Sequence, residues 1–166
     1  FHDQFGFDPK IAGWATAACV LAGSVMRPIG GVIADRIGGT RTLLGVYLAV
    51  AVLVATAGIG LGGSVATVSL FVLTLLCLGA GNGAVFQLVP QRFGTDIGLM
   101  TGLIGMAGGI GGFLLAAGMG VVKQHTGSYS LGLWLFAGVA LLAWGFLSGI
   151  KHQWRNKWSA VSAARV

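Results

Sequence analysis

The chain has 166 residues, of which 55% are apolar and only 8% charged, with a mean hydropathy of +0.88. Soluble domains carry roughly 25% charged residues, so this chain cannot cover itself for water and reads as an integral membrane protein. Its formal net charge of +6 does not point to nucleic acid, because most of the basic residues fall in short loops and the C-terminal tail.

Five apolar stretches follow one another, each close to the ~20 residues that span a bilayer. The first covers about 11–34 and holds Arg27 within the string Arg27-Pro28-Ile29-Gly30-Gly31. A polar loop, Asp35-Arg36-Ile37-Gly38-Gly39-Thr40-Arg41, is predicted after it. The second covers about 42–61 and ends in a tight turn at Gly62-Gly63-Ser64. The third covers about 65–89 and is closed by Pro90-Gln91-Arg92. The fourth covers about 97–122, with a loop at Lys123-Gln124-His125-Thr126-Gly127. The fifth covers about 130–150, and 151–166 forms a basic tail. None of the stretches alternates apolar and polar residues as the ~10-residue strands of a membrane barrel do. Helices satisfy their own backbone in lipid, so the predicted fold is all-α, with five transmembrane helices in a bundle at 1–150.

Arg36, Arg41, Arg92, Lys151, Arg155, Lys157 and Arg165 fall on one side of such a bundle, and Lys10 and Lys123 on the other. By the positive-inside bias the chain starts outside and its C-terminus is cytoplasmic. The segment Trp154-Arg155-Asn156-Lys157-Trp158 suits an interfacial anchor. The chain opens on Phe1-His2-Asp3, and an odd number of spans with an external start predicts further helices upstream.

Arg27 is a lone cation inside an apolar helix. A charge at that depth is costly and normally faces the bundle interior or a wet cavity on a substrate or ion pathway. The bland reading is a side chain that snorkels to the headgroups. About eight residues, roughly 12 Å of helix, separate Arg27 from the helix end near Asp35, a long reach for snorkelling. In the fourth stretch Gly102, Gly105, Gly109 and Gly112 recur at spacings of three and four and share a face, which Gly108 and Gly111 widen. Such a face lets a neighbouring helix approach closely; it also leaves room for a substrate or for sliding between two states. In Gly79-Ala80-Gly81-Asn82-Gly83-Ala84-Val85-Phe86-Gln87 the glycines weaken the helix. There the polar Asn82 needs either a neighbouring helix or a polar substrate.

No catalytic or metal constellation stands out. His2, His125 and His152 lie outside the spans, no span holds Asp or Glu, and Cys19 and Cys77 are isolated packing residues. With no nucleophile and no acid–base pair, neither an enzyme nor a cofactor is expected.

The string Gly31-Val32-Ile33-Ala34-Asp35-Arg36-Ile37-Gly38-Gly39-Thr40-Arg41 resembles the cytoplasmic loop motif of the major facilitator superfamily. Joined with Arg27-Pro28-Ile29-Gly30-Gly31, Gly79–Phe86 and Gly108-Gly109-Ile110-Gly111-Gly112-Phe113, it resembles the nitrate/nitrite porters of that superfamily. The resemblance covers essentially the whole chain and implies helices eight to twelve of a twelve-helix transporter in the bacterial inner membrane, working by alternating access. It implies that Arg27 binds the anion, paired with a second arginine outside this chain. Asn82, Gly108, Gly109 and Gly112 are the expected accompanying substrate-site residues, and Gly31, Asp35, Arg36, Gly38 and Arg41 the expected gating loop. The implied partners are nitrate or nitrite, the lipid bilayer and the N-terminal helices of the same transporter. Where the family often has a proline after its glycine signature, this chain has Leu114-Leu115-Ala116, which puts a kink there in doubt. A transporter of another small anion or a sugar, and a non-transporting membrane scaffold, are the rival readings.

Overall fold

The computed structural model describes residues 8–60, 63–93 and 95–163, the side chains of 92 and 152–163 excepted. Five helices follow in chain order: α1 (Pro9–Ile37), α2 (Gly39–Ile59), α3 (Gly63–Arg92), α4 (Ile97–Thr126) and α5 (Ser130–Ala163). Each contains a segment long and apolar enough to cross a membrane, and the described residues form no strand. The chain is an all-α integral membrane protein.

The helices outrun the apolar stretches because the edge of the hydrocarbon does not end a helix; only a backbone break does. The predicted loop 35–41 contracts to Gly38 alone. Its φ of +93° lies in a region that favours glycine. Its N–H donates to the Ala34 carbonyl at 2.9 Å, while its own carbonyl accepts from the Thr42 N–H at 3.0 Å. Asp35, Arg36 and Arg41 therefore stand on helical turns. Gly62 of the predicted turn lies outside the described residues, and Gly63 and Ser64 already belong to α3. Pro90 lies inside α3, and α4 continues through the predicted loop to Thr126. It stops at Gly127, whose left-handed φ of +69° lets its N–H cap the Lys123 carbonyl at 2.8 Å. The backbone of the predicted tail is helical as far as Ala163. At the other end, the Asp8 carboxylate accepts from the Lys10 N–H at 2.8 Å, with Pro9 in the first turn of α1; both residues suit a helix start.

Packing is uneven. α1 lies chiefly on α3, α2 is held between α3 and α5, and α4 touches α5 and α3 only lightly. The main core joins Val50, Ala51, Val54 and Ala57 of α2 to Leu133, Ala137 and Ala140 of α5. A smaller cluster joins Ala34, Leu43 and Ala84.

Lipid tails are as apolar as leucine, so helices associate in a bilayer through close van der Waals contact, which small residues permit. The α1–α3 contact is built that way. A methyl group on Gly79 would collide with the Gly23 carbonyl oxygen, one on Gly83 with the Arg27 carbonyl oxygen, and one on Gly30 with the backbone of Ala80. This seam also holds the glycine-dense part of α3 helical, outweighing its poor intrinsic propensity. The fourth helix departs from expectation. Around Gly102, Gly105, Gly109 and Gly112 nothing lies within 4 Å of an added Cβ, and no described residue of α4 is buried. Among the described residues, the glycines whose added Cβ would meet the backbone of another helix all lie between α1 and α3.

Candidate functional site

A cleft of about 650 Å³ opens where α1, α2, α3 and α4 converge. That is within the range of small-molecule sites. Arg27 projects into it from α1, Tyr47 from α2, Asn82 and Phe86 from α3, and Gly105 and Gly108 from α4. Most of the remaining described lining is aliphatic. Arg27 is the sole charged side chain in that described lining, and Tyr47 and Asn82 are its polar company.

Arg27 is exposed in the isolated chain, Asn82 is half-buried, and neither side chain has a hydrogen bond or ion pair with any described residue. The guanidinium thus keeps its N–H donors, and Asn82 both a donor and an acceptor group, available to whatever enters. Hydrogen bonds from a charged donor to an anionic acceptor are roughly twice as strong as neutral ones, and low-dielectric walls strengthen them further. The arrangement can attract and orient a small anion.

Of the residues singled out from sequence, Arg27, Asn82 and Gly108 come together in this cleft. Gly112 instead lines a separate apolar cavity of about 770 Å³ between α4 and α5, which Gly108 also borders. Gly109 is among the described lining residues of neither.

The motif at the α1–α2 junction is arranged differently from a loop of paired charges. The Asp35 carboxylate accepts a hydrogen bond from the Gln87 amide nitrogen of α3. Arg36 and Arg41 are exposed, with no ion pair to a described residue. The other Gln87 amide atom, Oε1, is buried without a described partner. Gly31 lies on α1 facing Gly83, with room for a methyl group at 3.8 Å from the Gly83 carbonyl oxygen. Gly38 makes the turn itself.

Two features escaped the sequence reading. Tyr47 was one hydroxyl in an apolar span, and nothing local says which way it faces. The seam residues Gly79 and Gly83 carry a legible signal, a four-residue spacing of glycines, but the same signal is denser on α4, where the structure does not use it.

The family model described as Major Facilitator Superfamily matches residues 1–157. The chain is 32% identical to a nitrite extrusion protein of Bacillus subtilis, over 93% of this chain and 38% of that protein. It is 33% identical to the probable nitrate/nitrite transporter NarK2 of Mycobacterium tuberculosis, over 84% of this chain and 36% of the relative. The probable nitrate transporter NarT of Staphylococcus haemolyticus is 31% identical over 85% of this chain and 36% of its own length. The chain therefore spans well under half the length of these curated relatives. No solved structure matches it significantly. Five membrane-length helices, a charged cleft between four of them and a family match over almost the whole chain lead to one assignment: the chain belongs to the Major Facilitator Superfamily.

Proposed function

We propose that the chain is part of a bacterial inner-membrane transporter that moves nitrate, nitrite or both by alternating access. One observation carries the reading. A single cleft joins Arg27 to Asn82 and the glycine face of α4, in a chain similar to proteins described as nitrate and nitrite transporters. Nitrate is planar, and two of its oxygens can meet a guanidinium fork through parallel hydrogen bonds; a lysine offers a point charge instead. Arg27 attracts and orients the anion, Asn82 supplies a further polar contact, and the bare glycines of α4 leave space for passage and for helix movement. Gly109 and Gly112 belong to that sliding face rather than to the cleft wall. In transporters of this kind the site lies between two repeated halves that rock about it, so the facing wall comes from elsewhere in the full-length protein. Gly31, Asp35, Arg36, Gly38 and Arg41 form the cytoplasmic gate region, and the C-terminus is cytoplasmic, in keeping with the distribution of arginine and lysine.

The test is Arg27→Lys in the full-length protein. Lysine keeps the charge but loses the planar fork that meets two oxygens at once, so nitrate uptake into vesicles should be largely lost while membrane insertion is retained. Uptake equal to the parent protein would sink the site assignment.

A further inference from the structure

We propose that Gly83 is a positioning residue for the anion site, acting through the backbone of Arg27; this rests on the reading of Arg27 as the anion-binding residue. Arg27 reaches the cleft from α1 and Asn82 from α3, so their separation is set by how closely the two helices approach. That approach is decided beside them. A Cβ on Gly83 would fall on the Arg27 carbonyl oxygen and within 2.9 Å of both the Arg27 carbonyl carbon and the Gly31 nitrogen. All three atoms are backbone inside a helix, and none can swing aside as a side-chain tip would. Asn82 is the chain neighbour of Gly83, so one contact fixes Arg27 and Asn82 at once.

The seam does not rest on that point alone. One turn earlier, Gly79 meets the Gly23 carbonyl oxygen in the same manner. At the cytoplasmic end the Gln87 amide ties α3 to Asp35 of α1. Gly23, Arg27 and Asp35 thus engage Gly79, Gly83 and Gln87 in order along two helices running in the same direction, and the helices cannot slide without breaking all three contacts. Gly83 sits at the level of Arg27, where a change in spacing acts on the guanidinium most directly. Gly81 makes the contrast within the same helix. A Cβ there would come within 2.9 Å of Cγ1 of Val46, a side chain that can adjust.

The measurement is labelled-nitrate uptake by the reconstituted full-length protein. Gly83→Ala should push α1 off α3 by about an ångström, and a misplacement of that size costs up to ~100-fold. The expected result is a rise in KM of about 10- to 100-fold, with kcat within about threefold of the parent. A merely structural role would lower the amount of active protein and leave KM alone. Gly45→Ala, where nothing lies within 4 Å of the added methyl, is the control and should change neither. If Gly83→Ala does not insert, Gly79→Ala carries the test. It perturbs the seam one turn from Arg27 and should raise KM by a smaller factor, about 3- to 10-fold, again with kcat retained. Adding Gly83→Ala to Arg27→Lys should raise KM no further, because the residue it positions is already gone. A parental KM in the seam variants, beside a defective Arg27→Lys, would overturn the positioning role and leave the anion site standing. Normal uptake by Arg27→Lys would instead remove the site on which the inference rests.

Discussion

Gly30 and Gly31 are adjacent on one helix, and the structure assigns opposite outcomes to the same substitution. An added Cβ at Gly30 would lie 2.6 Å from the Ala80 carbonyl carbon and nearer still to two other backbone atoms of that residue. Carbon atoms rest about 3.5–4.0 Å apart, so α1 and α3 must separate by about 1 Å locally. Overpacking of this kind costs roughly 1–3 kcal/mol, and a backbone obstacle places Gly30→Ala toward the upper end. Replacing glycine by alanine within a helix returns up to about 1 kcal/mol, which leaves a net loss of about 1–2 kcal/mol. At Gly31 the nearest atom to the added Cβ is the Gly83 carbonyl oxygen at 3.8 Å, an ordinary contact. Gly31→Ala should therefore be neutral or stabilise by up to about 1 kcal/mol. Equilibrium unfolding of the two variants in the same detergent, against the parent, checks the difference. Equal stabilities would refute the packed α1–α3 seam, because helix propensity alone predicts equal effects at neighbouring positions.

Gly38→Ala should destabilise the helical hairpin by about 1–3 kcal/mol, the usual cost of holding an L side chain in a sparsely populated backbone region. Its φ of +93° has nothing within 4 Å to blame instead; an unfolding midpoint unchanged in detergent would contradict the turn geometry. Gly112→Leu should insert and fold like the parent, since its Cβ position is open, yet lose nitrate uptake once the rest of the transporter must move against α4. Ala117→Leu, beyond the glycine signature, should be milder, and equal uptake by the two variants would show that the glycine face has no part in transport.

The five helices and their order were determined by the sequence, because the thickness of the hydrocarbon sets the length of an apolar segment and lipid forbids an unpaired backbone. Arg27 stood out for the same reason: a lone charge among apolar neighbours is costly wherever the helix points. Where the helices end was less legible. Gly38 and Gly127 break the backbone, and Asp35, Arg41 and Lys123 do not, although the charges look like loop markers. The structure also brings Asn82 and Gly108 to the cleft of Arg27 and leaves Gly109 and Gly112 outside it. Glycine spacing on α4 and α3 is alike on paper; only α3 has a partner backbone pressed against it. Tyr47 joins Arg27 through the placement of α2 beside α1 and α3. Periodicity names a face of a helix, but which neighbour meets that face depends on how separate helices cross, and that is decided by the sum of their contacts.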